Sequence, residues 1–568
     1  MNKQFSMLLV LAISIVVPQI GNAQTANFSK SKVNMVASVH PLATQAGLRA
    51  FENGGNAVDA AIATALTLGV VDSYNSGIGG GCFILIRKSD GSFEAIDGRE
   101  MAPSAATKDM YIRKGQADSK ASVLGPLAIG VPGALKAYHQ AATNHGRLDF
   151  RQLILPAAKI AEDGFAVPKL YSDRIGLELE SIKQFPATAK ILLKSDQSIF
   201  QPGEILKQQD LANSYSQIAQ HGTQWFYDGP FSVMVENWMK ENGGIITRQD
   251  LQNYKTRIRE PIRSQYRGYE IFGFPPPSSG GVHVAQILNI LESFELKKIF
   301  QEDPAKLNHV VAEAMKLAFA DRAHWLGDSD FVKVPRQLTS TQYAKELASK
   351  IDLTKASEVR SHSTPPNADS DLFGQHTTHL VTADKEGNWV AMTTTLNTLF
   401  GSKVVVPETG ILLNNQMDDF SIKPGVPNAY GLIGSENNSI AAGKRPLSSM
   451  SPTIVSKDGQ PVLALGAAGG PKIITQVVWA IINHIDLGIS VPESISRPRV
   501  HHQWSPDLLQ IEASIPASMR LRMNEFGHKL KELPTDLAGV SQAIGFDPST
   551  GQFIGAHDPR VPGSAAGQ

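Results

Sequence analysis

The amino-acid sequence predicts a mixed helix and strand protein of the α+β class. Its 568 residues are 42% hydrophobic and 19% charged, a globular balance far from that of disordered chains. Helical patterns crowd the middle of the chain, and a hairpin rich in β-branched residues follows them from Thr377. At about 150 residues per domain the length gives a soft prior near four folding units, or fewer around one large core. Lys plus Arg and Asp plus Glu each number 53, so no net charge draws the chain to nucleic acid or to an anionic membrane. Cys82 is the single cysteine, which excludes an intrachain disulfide and any cysteine-rich zinc or iron–sulfur site.

The first element is an address. One Lys precedes an almost wholly apolar run from Met7 to Val17, and Gly21-Asn22-Ala23 supplies small residues for a signal peptidase. That run, about eleven residues, falls short of the roughly twenty that span a bilayer. Residues 1–23 therefore read as a signal peptide, and the mature chain begins at Gln24 as a periplasmic or secreted protein with no stable membrane anchor.

Gly54-Gly55-Asn56 fits a turn, and the Ala-rich run after it fits a closely packed helix. Ser76 to Cys82 carries four glycines and leads into a short strand, Phe83 to Ile86. A dinucleotide fingerprint follows its strand rather than preceding it, so these glycines mark a backbone that passes close to something else. Helices are expected at Arg151 to Asp163, at Val282 to Phe294 after the turn Pro275 to Gly281, and at Leu307 to Trp325. Their His and Met residues read as core or surface filler. From Ala356 to Gln375 the composition shifts to Ser, Pro, Asn, Asp and Gly, as in an exposed linker.

Thr377 to Ala383 and Trp389 to Thr395 are β-rich segments joined by Asp384-Lys385-Glu386-Gly387-Asn388. If Ala383 faces Trp389, antiparallel pairing brings Thr377 opposite Thr395, within reach of a hydroxyl–hydroxyl hydrogen bond. On these residues alone both are ordinary strand threonines. Their position adds a second reading. A cut before Thr377 would make it an N-terminal residue, with a nucleophilic hydroxyl and a basic α-amine of reference pKa about 7.7–8.0 on one residue.

Several separated motifs together resemble the γ-glutamyltranspeptidase family of N-terminal-nucleophile hydrolases across nearly all of the mature chain. They are Asp97 to Pro103, Pro275 to Gly281, Glu313-Ala314-Met315 with Asp321-Arg322, Thr377-Thr378-His379, Thr395 to Thr398, Leu412 to Phe420, Arg445 to Met450, and Gly469-Gly470. The resemblance implies a four-layer αββα sandwich formed jointly by two subunits of a self-cleaved precursor. Cleavage would fall between His376 and Thr377, giving a large subunit 24–376 and a small subunit 377–568 that stay associated as a heterodimer. It implies no cofactor and no catalytic metal. The reaction would pass the γ-glutamyl group of glutathione and related γ-glutamyl compounds to water, amino acids or peptides.

By the same resemblance Thr377 is the nucleophile, Thr395 its orienting partner, and Gly469 and Gly470 the oxyanion hole. Arg99, with Ser448 and Ser449, would bind the α-carboxylate, which a guanidinium grips bidentately. Asp419, Gln416 and Asn397 would accept from the α-ammonium. The stretch Pro424 to Gly443 resembles the family's lid loop, with Tyr430 at its aromatic position, a loop that related cephalosporin acylases tend to lack. Ala467-Ala468 and Pro471-Lys472 depart from the common pattern around the glycine pair and leave fine substrate preference open. Two alternatives stand beside this reading: a glutaryl or cephalosporin acylase, and an exported solute-binding protein that captures glutathione without chemistry.

Overall fold

A computed structural model describes residues 27–359 and 377–568. The expected signal peptide 1–23, the mature start at Gln24 and His376 lie outside them. The described chain forms two seven-stranded sheets. In the first, the Thr378–Asp384 and Trp389–Thr395 strands are central, flanked by Asn34–Ser38 on one side and Gly81–Arg87 on the other. The hairpin register is the expected one, with Ala383 opposite Trp389 and Thr378 opposite Thr394. In the second sheet the Gln460–Ala468 strand is central, between Thr453–Lys457 and Val540–Asp547.

Side chains alternate across each strand, and this alternation gives each sheet an inner and an outer apolar face. Phe83, Val381, Trp389 and Ala391 meet Phe274, Ile454, Ala464 and Ile544 in one cluster between the sheets, with Phe83 stacked on Phe274 at 4.2 Å. On the outer face of the first sheet, Leu380, Val390 and Met392 share a core with the Ala57–Val71 helix. That helix is buried along its whole length, and Asn56 and Asp59 close its start with a capping box. Against the second sheet pack the helices Gly280–Leu291 and Lys472–Ile485, and Pro304–Trp325 packs on the first of them.

One sequence expectation is corrected. The helix expected from Val282 to Phe294 runs Gly280–Leu291, because Ser278 Oγ accepts the Gly280 N–H at 2.9 Å and starts it at the glycine pair. The expected linker, Ala356 to Gln375, lies outside the described residues from 360 onward, and its first four residues are tied to the body of the protein. Ser357 donates its N–H to Glu313 Oε2 at 2.9 Å and accepts from Lys316 Nζ at 2.7 Å, while Trp504 Nε1 donates to the Val359 carbonyl at 3.2 Å.

Candidate active site

Both ends of the hairpin open into one cavity. Thr377 immediately precedes the Thr378–Asp384 strand, with Oγ1 3.3 Å from Thr395 Oγ1, and either hydroxyl can donate. Thr395 Oγ1 also accepts the Asn397 N–H at 2.8 Å. Asn397 has φ +82, a left-handed conformation that Asn tolerates better than most residues. The glycine cluster before the Gly81–Arg87 strand explains how the hairpin end is reached. A Cβ on Gly80 would lie 2.0 Å from the Thr395 carbonyl oxygen, so the close approach expected from the sequence is to Thr395 itself.

Gly469 and Gly470 join the Gln460–Ala468 strand to the Lys472–Ile485 helix. Both have positive φ, +137 and +57, and a Cβ on Gly470 would meet the Tyr430 ring at 2.7 Å. Gly470 lines the cavity, at the entrance of a helix whose amino end favours negative charge. Tyr430, in the Pro424 to Gly443 stretch, covers it, its hydroxyl 2.5 Å from the Asn397 carbonyl oxygen and 2.7 Å from Asn397 Oδ1. Gln503 Nε2 donates to the Gly431 carbonyl at 3.2 Å, which ties the same loop to the body of the protein.

Arg99 is fully buried. Its backbone N–H donates to Asp97 Oδ1 at 2.9 Å, and Asp97 is held in turn by Arg445 at 2.5 Å and Arg259 at 2.7 Å. The Arg99 guanidinium pairs directly with Asp419 and lies 3.7 Å from Glu100. Burial pushes the Glu100 carboxyl up to about 7, against the attraction of Arg99, and neither of its oxygens has a hydrogen-bond partner among the described residues. Gln416 donates to Asp419 Oδ2 at 2.6 Å. Its own Oε1 is buried without a partner among the described residues, an acceptor ready for a cationic group.

Of the eleven expected catalytic and substrate-binding residues, the cavity wall includes Thr377, Thr395, Gly470, Arg99, Asn397, Gln416, Asp419, Tyr430, Ser448 and Ser449, and Gly469 is the immediate neighbour of Gly470. Two features of the site carry no signal in the sequence: the direct Arg99–Asp419 pair and the presence of Arg322 in the same wall. Arg322 lay within a noted motif, but an Arg on a helix carries no sequence signal that separates a pocket wall from solvent. Among the described residues, His309, Glu313 and His528 approach closely enough to share a cation, with ligand atoms within 4.8 Å. There the Lys316 ammonium, 2.8 Å from Glu313 Oε1, already supplies positive charge. His309 Nδ1 instead lies 2.8 Å from His528 Nε2, and the group braces the 352–359 segment.

Paired hydroxyls beside a helix entrance, in a cavity holding both charge signs, suit the opening of an amide bond in a small zwitterion. The surrounding fold is similar to that of a cephalosporin acylase from Bacillus halodurans, which aligns with a TM-score of 0.84, 29% identical, over 98% of this chain and 99% of that chain. The family model for Gamma-glutamyltranspeptidase matches residues 43–568, and the chain belongs to that family. It is 44% identical to the glutathione hydrolase proenzyme of Escherichia coli K12, over 94% of this chain and 91% of the relative. It is also 39% identical to the acylase ACY 1 proenzyme of Pseudomonas sp. V22, over 93% of this chain and 92% of the relative. No helix among the described residues is long and apolar enough to cross a membrane.

Proposed function

We propose that this chain is a γ-glutamyltransferase and glutathione hydrolase that matures by cutting itself between His376 and Thr377. The large piece, 24–376, and the small piece, 377–568, would stay together as a heterodimer in one four-layer αββα sandwich, exported to the periplasm or secreted after loss of residues 1–23. In the precursor, Thr377 Oγ attacks the His376 carbonyl carbon, the peptide nitrogen leaves as the Thr377 amine, and water hydrolyses the resulting ester. The freed amine then takes the hydroxyl proton during turnover. Thr377 Oγ adds to the γ-carbonyl, and N–H groups at Gly469 and Gly470 hold the oxyanion. Collapse expels the amine of the leaving group, which carries the proton away. Water or an acceptor amine next attacks the γ-glutamyl ester and regenerates Thr377. No step requires a cofactor or a metal.

The observation that carries this reading is the company Thr377 keeps. Its hydroxyl shares one cavity with Arg99, Ser448 and Ser449 on the cationic side and with Gln416 and Asp419 on the accepting side, as an α-carboxylate and an α-ammonium require. A glutaryl or cephalosporin acylase is the second reading, favoured by the acylase relatives; a substrate without an α-ammonium has no use for the unpartnered Gln416 Oε1. Hydrolysis of a γ-glutamyl anilide compared with its glutaryl counterpart decides between them. Faster turnover of the γ-glutamyl compound is expected, and faster turnover of the glutaryl compound would reverse the assignment.

A further inference from the structure

The carboxylate end of the cavity holds two buried guanidinium groups with opposite electrostatic situations. Arg99 is neutralised by the protein through its pair with Asp419. Arg322, on the Pro304–Trp325 helix, is only 4% exposed and lines the same wall, yet no carboxylate oxygen among the described residues lies within ion-pair distance of it. Its hydrogen bonds go to two neutral hydroxyls: Nε donates to Ser279 Oγ at 2.9 Å and Nη2 to Ser449 Oγ at 3.1 Å. Asp419 contributes only a longer-range attraction, and burial lowers Arg322 to about 10. Holding a buried charge without a counter-ion is costly, so a cation of this kind on a cavity wall calls for an anion brought by the ligand.

The hydroxyl geometry says where that anion goes. Ser279 spends its own proton on the Ser448 carbonyl at 2.7 Å. Ser449 accepts from Arg322, which leaves its O–H to donate, and a hydroxyl that accepts a charge-assisted bond is a stronger donor. Ser448 Oγ likewise accepts the Met450 N–H at 3.1 Å, so both neighbouring hydroxyls have their accepting side occupied by protein.

We propose that Arg322 is a positioning residue for the substrate α-carboxylate, supplying the unneutralised positive charge at that end of the cavity and holding Ser449 so that its proton points at the anion. The inference rests on the γ-glutamyl reading above and adds a determinant to it.

The test compares γ-glutamyl p-nitroanilide with 4-aminobutyryl p-nitroanilide, the same compound without its α-carboxylate, on self-cleaved wild type, Arg322→Met, Arg322→Lys and Ser449→Ala. Arg322→Met is expected to raise KM for the γ-glutamyl compound about tenfold to a hundredfold, the range carried by a hydrogen bond to a charged group. Its kcat should stay within about threefold, as expected for lost ground-state binding. The preference for γ-glutamyl over 4-aminobutyryl substrate should shrink by the same factor as KM rises, and Arg322→Lys should recover part of it. Adding Ser449→Ala to Arg322→Met should cost little more than the larger single change, because both act on one contact. Equal loss on both substrates, or an unmoved KM, would overturn the role. If Arg322→Met fails to mature, Arg322→Lys carries the comparison alone: an intermediate preference supports the role and an unchanged one overturns it. A wild type with no preference for the γ-glutamyl compound would instead refute the functional reading itself, and the inference with it.

Discussion

Replacing Glu100 by Gln should make the protein more stable at neutral and alkaline pH while leaving its stability near pH 4 little changed. The Glu100 carboxyl is fully buried between Arg99 and the Gly81 backbone, and burial raises it from 4.5 to about 7. The folded state therefore keeps its proton to higher pH than the unfolded state. Stability from that proton is fully present below 4.5 and is lost as pH rises through about 7. At about 1.4 kcal/mol per tenfold difference in proton affinity, that gap corresponds to roughly 3 kcal/mol. Gln has the same shape and no proton to lose. The difference in urea-unfolding free energy between Glu100→Gln and wild type, followed from pH 4 to 8 on self-cleaved protein, should be near zero at the acid end and grow by roughly 3 kcal/mol by pH 8. Other buried acids, such as Asp72 at about 7 and Asp418 at about 6, shape both curves and largely cancel in the difference. A flat difference curve would refute the claim that Glu100 is held protonated by its surroundings.

Gly80→Ala should destabilise the chain by about 1–3 kcal/mol and slow self-cleavage, since its Cβ would land 2.0 Å from the Thr395 carbonyl oxygen; appearance of the smaller band on a denaturing gel over time measures this, and normal kinetics would contradict it. Tyr430→Phe removes the hydroxyl that meets Asn397, and the lid should then shield the ester less well, so hydrolysis should gain on transfer to an acceptor such as glycylglycine. The ratio of the two products reports it, and an unchanged ratio would free the lid from that contact.

Much of this architecture was legible in the sequence, for reasons that differ by element. The Thr377 hairpin could be read to the residue because β-branched runs flank a short loop with Gly near its end, and one fixed pair sets every other. The Ser76 to Gly81 glycines could be read as a close approach, but not the partner, because Thr395 is more than three hundred residues distant in sequence. The same distance hid the Arg99–Asp419 pair: two charged residues in separate motifs read as two ligands for substrate, whereas the folded chain lets them bind each other. Arg322 was hidden for another reason. Its helix is buried along so much of its surface that periodicity gives no face, and only the positions of Ser279 and Ser449 reveal what it does. The ties at Ser357 were not legible because Ser, Pro and Asn composition reports backbone preference and says nothing of Glu313 and Lys316 on a neighbouring helix.

The central claim is that the attacking oxygen and the base that deprotonates it belong to one chain end. N-terminal sequencing and intact mass of the smaller fragment from active enzyme test it most directly. The fragment should begin at Thr377 with an unblocked amine, become heavier by one γ-glutamyl group when quenched during turnover, and be missing from a Thr377→Ala preparation. Full activity in a polypeptide still continuous through residues 376 and 377 would contradict it.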